Sequence, residues 1–271
     1  MKRPAWTVIV GVVVYAFMLV PVAVVVWMSF FKQAYLTFPP DGYSLRWYTG
    51  LKDQPALFDG LFYSLEIAVI TTIISVALGV IAALGLSRAR LRGTALLENG
   101  FLLPLVIPAI VTGMAIYIYL YQLSGAIQVA LVPSTWSLVV AHTMITLPWT
   151  FRLTYAGTAS IGKDVERASM DLGRRPFATL WRITLPLLRP SVIGAAIFAF
   201  IFSFGDLEIS LFLVSPGKTT LPVAMVQYAE FKVDPTIAAM STIQIVLIGV
   251  LLAVANKFVK FGEAFSGGTK Q

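Results

Sequence analysis

Four ionisable side chains, Glu66, His142, Asp206 and Glu208, sit inside segments otherwise apolar enough to cross a bilayer. A charge at that depth is costly, so each is a candidate for solute recognition or for a buried pair. Helical phase separates them. At about 100° per residue, Ala196, Ala199, Ser203, Asp206 and Ser210 share one stripe of small and polar side chains, the kind of surface that faces a neighbouring helix or a lumen. Ile197, Ile201, Phe204 and Glu208 share the nearly opposite, bulky stripe. A regular helix therefore turns Asp206 inward with Ser203 and Ser210 and leaves Glu208 to snorkel or pair elsewhere; Gly205 is the position able to break that phase. In an earlier segment Ala68, Thr72, Ser75, Gly79 and Ala82 form the small stripe, with Glu66 about 200° away and so placed at an interface. His142, alone beside Thr143 and Thr146, is expected to make a buried hydrogen bond. An inward acid suits a cationic solute; the alternative is that Asp206 is a structural acid bonded within the bundle.

The same inventory excludes several chemistries. There is no cysteine, hence no disulfide, thiolate metal site or thiol nucleophile. No Gly-rich phosphate loop, Walker-type lysine, paired acids or metal-ligand cluster occurs. No catalytic residue, metal ligand or cofactor is therefore assigned to this chain.

The elements that must hold these residues are membrane spans. The chain is 58% hydrophobic and 12% charged over 271 residues, against about 45–50% and 25% in a soluble domain. A helix needs about 20 apolar residues to cross the hydrocarbon core. Uncharged or nearly uncharged runs predict spans near 7–31, 61–87, 100–121, 136–156, 191–214 and 236–259. The third and fourth come from one run of 53 residues, 99–151, without Asp, Glu, Lys or Arg, broken by polar and turn residues between Gln122 and Thr135. The first run, Thr7 to Phe31, has 25 residues, longer than the ~7–15 of a signal-peptide core, and is read as a retained span.

An even number of spans puts both termini on one side. Of the 20 Lys and Arg, 15 fall on that side, among them Lys2, Arg3, Arg90, Arg92, Lys260 and Lys270, and five on the other: Lys32, Arg46, Lys52, Lys218 and Lys232. The positive-inside rule then makes both termini cytoplasmic. It also explains the net charge of +7 without any nucleic-acid partner.

Residues 157–190 form the longest cytoplasmic loop. Asp164, Glu166 and Asp171 alternate with Lys163, Arg167 and Arg174, as on a helix lying along the membrane surface. Gly173 is a plausible helix stop and Pro176 a start. Phe177 to Leu185 alternates bulky apolar and basic residues before Pro186 and Pro190. Such a helix, turn, helix unit can transmit force from something docked beneath it.

This loop resembles the cytoplasmic coupling loop of permeases in binding-protein-dependent ABC importers, whose signature is Glu-Ala-Ala, three residues, Gly, nine residues, then Ile-x-Leu-Pro. Ala168, Gly173, Ile183, Leu185 and Pro186 stand at the matching offsets, Arg167 replaces the glutamate, Ser169 the second alanine, and Glu166 lies one position early. The turn Ser87-Arg88-Ala89-Arg90-Leu91-Arg92-Gly93, Ser44–Tyr48 and Pro216-Gly217 through Leu221-Pro222 are similar as well. The resemblance implies an all-α integral membrane fold of six transmembrane helices in the type I importer-permease (MetI-like) architecture. It also implies a bacterial inner-membrane location, a second permease subunit, two ATP-binding subunits on the coupling loops, and a periplasmic substrate-binding protein. ATP would be bound by those partners. The stretch from Phe202 to Phe212 resembles polyamine permeases, with Gly205 in place of the first of two adjacent acids and Asp206 as the second. That favours spermidine, putrescine or a related amine over ferric iron, thiamine or an aminophosphonate. An ATP-independent secondary transporter also accommodates six spans but gives the loop no task.

Overall fold

The structure is a computed structural model that describes residues 5–35, 37–89, 93–215 and 217–258. Ten helices carry the architecture: α1 (Ala5–Met28), α2 (Pro55–Arg88), α3 (Thr94–Leu102), α4 (Ala109–Ile127), α5 (Thr135–Ile161), α6 (Lys163–Asp171), α7 (Pro176–Phe204), α8 (Ser210–Leu213), α9 (Leu221–Phe231) and α10 (Thr236–Phe258). Among the described residues there is no β-strand, and two isolated bridges, Phe31 with Tyr43 and Ser215 with Lys218, are the only strand-like pairings. The chain separates into two compact units, residues 1–59 with 224–249 and residues 60–223 with 250–271.

In the first unit, α1 is exposed along its membrane-crossing length, as a helix bathed in lipid tails is. Below it the chain folds back on itself. Trp47 donates its indole N–H to the Phe31 carbonyl at 2.6 Å, and the Ser29 hydroxyl bonds the Tyr48 hydroxyl at 2.6 Å. Arg46 lies 4.2 Å from the centre of the Trp47 ring. The aromatic residues of this segment thus fix its own turn.

In the second unit, α5 and α7 make the most extensive helix pairing. Among the described residues, five helices (α1, α2, α4, α7 and α10) are long and apolar enough to cross a membrane. Helix α5, 27 residues long, is more polar than any of these five. Its Ser137, His142, Thr143, Thr146, Thr150 and Thr154 are buried. Those hydroxyls and the imidazole are tolerated because protein, not lipid, surrounds them. The small stripe of α2 faces this helix as expected. Ser75 and Thr150 share a hydroxyl–hydroxyl bond of 3.1 Å, and Thr150 also donates to the Ser75 carbonyl at 2.9 Å. Gly79 makes that approach possible, since a Cβ there would lie 2.9 Å from the Phe151 nitrogen. Glu66 is exposed.

Helix limits differ from the sequence expectation in three places. The predicted third span, 100–121, is instead broken at Leu103–Pro108 and runs from Ala109 to Ile127. Pro104 and Pro108 each remove a backbone donor, a stronger interruption than the polar residues after Gln122. The predicted fifth span, 191–214, begins at Pro176 and stops at Phe204. It runs straight through Pro186 and Pro190 because the turn before them is a π-turn, Leu180–Thr184, in which the Leu185 N–H reaches the Leu180 carbonyl. A π-turn shifts the ladder by one residue and so accommodates a missing donor. At the far end Gly205 halts the helix. The loop predicted at 157–190 is consequently almost all helical. Lys2, Arg3, Arg90, Leu91, Arg92, Pro216, Lys260 and Lys270 lie outside the described residues, as do the side chains of Lys163 and Lys257.

Candidate functional site

Two places carry functional geometry, both in the second unit: the hairpin of α6 with the start of α7, and the break between α7 and α8.

The hairpin turns at Gly173. Its φ of +85° is left-handed, the Gly173 N–H bonds the Met170 carbonyl at 2.9 Å, and the Arg174 N–H bonds the Ser169 carbonyl at 3.2 Å. That pair of bonds closes a helix in a Schellman motif, in which only glycine is free of a Cβ penalty. The required Gly173 is thus a backbone requirement. Replacing it with valine strains that turn by about 1–2 kcal/mol. The expected result is a lower melting temperature of the purified protein with membrane insertion intact, read by thermal unfolding in detergent and by membrane yield. An unchanged melting temperature would contradict the backbone requirement at Gly173.

One face of the hairpin is sewn shut. Ser169, at the second alanine position of the signature, is buried and its hydroxyl bonds Thr179 at 2.9 Å. Glu166 receives Arg88 Nε at 3.1 Å and Nη2 at 2.5 Å, and Thr184 donates to the same carboxylate at 2.7 Å. Glu166 is therefore held within the chain. Arg167 faces solvent, with a 3.4 Å contact to the still more exposed Asp164. Ala168 is exposed, and Ile183, Leu185 and Pro186 are half-buried where α7 enters the bundle. The opposite face presents Leu172, Phe177 and Trp181, which are 86%, 72% and 58% exposed, among the exposed Arg174, Arg175 and Arg182. The alternation of bulky and basic residues in the sequence was the signal for this face. Nothing in it singled out Arg88 or Thr184, which lie 78 and 18 residues from Glu166.

At the break, the chain leaves helical geometry from Gly205 to Ile209 and re-forms a single turn at Ser210. Asp206 Oδ2 accepts from the Ile209 N–H at 3.2 Å, the Ser210 N–H at 3.0 Å and the Ser210 hydroxyl at 3.2 Å, so it caps α8. His142 is 1% exposed and spans the break. Its Nδ1 is 2.8 Å from the Ser203 hydroxyl, its Nε2 is 3.0 Å from the Ser210 hydroxyl and 3.5 Å from Asp206 Oδ2. The buried hydrogen bond expected of His142 is there. Asp206, Ser203 and Ser210 come together as the helical stripe implied, through the histidine. Glu208 departs from the expectation. With the helix ended at Phe204, it does not fall on the opposite face; it lines the same open cleft of ≈ 750 Å³ as Asp206, Trp149, Phe202 and Thr112. Trp149, Phe198 and Phe202 stack beside it, with ring centres 4.6 to 5.9 Å apart.

Comparison with known proteins bears on both places. A family model described as the binding-protein-dependent transport system inner membrane component matches residues 75–261. The chain is 30% identical over 258 residues, covering 93% of itself and 90% of the relative, to the putrescine transport system permease protein PotI of Escherichia coli (strain K12). It is 29% identical over 261 residues, 96% of itself and 95% of the relative, to a protein designated the 2-aminoethylphosphonate transport system permease PhnV of Salmonella paratyphi A. Among solved structures, a bacterial ABC transporter involved in import of the acidic polysaccharide alginate shares the fold, with a TM-score of 0.69 at 14% identity over 93% of this chain and 96% of that one. The inward-facing MetNI methionine ABC transporter does so with a TM-score of 0.60 at 15% identity over 77% and 97%. Since the matched stretch takes in the hairpin, the broken helix and the last span, the chain belongs to the family of inner membrane components of binding-protein-dependent transport systems, the permease subunits of ABC importers.

Proposed function

We propose that this chain forms half of the translocation pathway of an importer for a small cationic amine, a polyamine of the putrescine type, driven by ATP hydrolysis in partner subunits. The observation that carries the reading is the cleft at the broken helix. Two acids, Asp206 (9% exposed) and Glu208, line it together with Trp149 and Phe202, and none of its lining residues is basic. Carboxylates and aromatic faces are what an ammonium group binds in place of water. The similarity to a putrescine permease over 93% of the chain supports the same class. A 2-aminoethylphosphonate also offers an ammonium group, but its phosphonate calls for a cationic partner that this lining does not offer.

The remaining parts fall to the complex. A second permease subunit supplies the other half of the pathway. One of two ATP-binding subunits grips the exposed face of Leu172, Phe177 and Trp181 with its arginines, where tryptophan and arginine are residue types enriched in energetically dominant contacts. A periplasmic binding protein delivers the solute. The cytoplasmic placement of the hairpin follows from the distribution of basic residues, and ATP is bound by the partners.

Asp206→Asn separates charge from capping, because asparagine still caps a helix. In proteoliposomes holding the assembled transporter, the KM for ATP-driven putrescine uptake is expected to rise roughly tenfold, equivalent to ~1.4 kcal/mol, with unchanged yield. An unchanged KM would leave Asp206 as a cap alone, and uptake of 2-aminoethylphosphonate in preference to putrescine would replace the diamine reading.

A further inference from the structure

The junction of Arg88, Glu166 and Thr184 joins three elements. Arg88 is the last residue of α2, Glu166 belongs to α6, and Thr184 ends the π-turn of α7. The Arg88 guanidinium holds both oxygens of Glu166, and Nη2 also lies 3.4 Å from the Thr184 hydroxyl. A two-pronged guanidinium–carboxylate pair fixes orientation as well as distance. Thr184 is buried and Glu166 half-buried, whereas Arg88 is 38% exposed, so solvent screens the pair from the Arg88 side and its value lies in geometry more than in energy. Ser169 with Thr179 ties α6 to α7 a second time, and the Arg88 pair is a charged tie from the hairpin to α2. Thr184 also sits at the one turn of α7 whose ladder is not α-helical, a place where helices tolerate a change of register.

We propose that Arg88, Glu166 and Thr184 are positioning residues that carry displacement of the hairpin into α2 and α7 together. The inference rests on the reading of the hairpin as the element gripped by the ATP-hydrolysing partners. On this account the acid of the loop is the internal end of the linkage. Glu166 binds the chain's own span while the exposed residues meet the motor. A hairpin without the junction would move while α2 stayed behind.

The chain has no cysteine, so two spin labels can be placed in the full transporter through D164C, on the hairpin, and L78C, on α2. Both side chains are exposed; that of Asp164 is 96% so. Distances between the labels are read without nucleotide and with ATP plus vanadate. The expected result is one distance population, unchanged by nucleotide, in the parent protein. In R88E a second, longer population appears on adding nucleotide, and the swap R88E/E166R removes it. T184V, which deletes both hydroxyl bonds of the junction but keeps the ion pair, should broaden the population without splitting it. A distance that already differs in nucleotide-free R88E counts for the proposal only when the swap restores it. A parent distance that itself changes with nucleotide would overturn it, as would an R88E distance indistinguishable from the parent or a swap that restores nothing. None of these outcomes depends on which solute is carried, so the polyamine reading stands or falls separately on the uptake assay.

Discussion

His142→Ala destabilises the assembled permease by about 3–5 kcal/mol, the sum expected of a buried cavity and stranded polar groups. The imidazole is 1% exposed, and both of its ring nitrogens are engaged. Its removal takes from the Ser203 hydroxyl the 2.8 Å bond to Nδ1 and unfastens the two sides of the break. The Ser210 hydroxyl retains its bond to Asp206, so the damage concentrates at the end of α7. His142→Gln restores a single amide in place of two ring nitrogens and should recover part of the loss. Thermal unfolding of the purified complex in detergent measures the effect. A shift within the spread of ordinary surface substitutions, about 0.5 kcal/mol, would show that the histidine does not brace the break.

Gly157→Ala should be nearly as damaging, for a steric reason. A Cβ at this position of α5 would lie 2.6 Å from the Ser191 Cβ and 3.2 Å from Leu188 Cδ2 on α7. Close approach of small residues is what holds helices together in a membrane, so one methyl must push apart the main pairing of the second unit. Forcing extra volume into such a contact costs typically 1–3 kcal/mol. Because the nearest atoms belong to the Ser191 side chain, Ser191→Gly is expected to suppress the defect, a strongly non-additive pair. Yield and melting temperature of the single and double variants provide the check. Additive losses would mean that α5 and α7 do not meet where Gly157 and Ser191 face each other.

Much of this arrangement is legible in the sequence. The stripe of Ala68, Ser75 and Gly79 on α2 and the stripe of Ser203, Asp206 and Ser210 both follow from period and residue size, and both are used as contacts. Gly173 was legible as a stop because a left-handed turn needs it. What the sequence did not convey depends on pairs distant in the chain or on competition between local signals. Arg88 reaches Glu166 across 78 residues, a pairing that no periodicity encodes. The fifth span was expected to begin after Pro190, yet a π-turn upstream carries α7 through both Pro186 and Pro190. Pro104 and Pro108 break the third apolar run, whereas the Ser124-Gly125 signal is overridden, with the Ser124 hydroxyl bonded to the Leu120 carbonyl inside a continuing helix. Glu208 shares a cleft with Asp206 because Gly205 ends the helix whose phase had separated them.

On the proposed function, an ATP-hydrolysing subunit holds the exposed face of the hairpin on the cytoplasmic side. Absence of cysteine makes it directly measurable, since Trp181→Cys provides a single reactive thiol on that face. In membranes containing the complete transporter, a short thiol-to-amine crosslinker should join this position to the ATP-hydrolysing subunit, and a membrane-impermeant maleimide added to intact cells should leave it unlabelled. Labelling from outside the cell, or a crosslinked product without that subunit, would contradict the account.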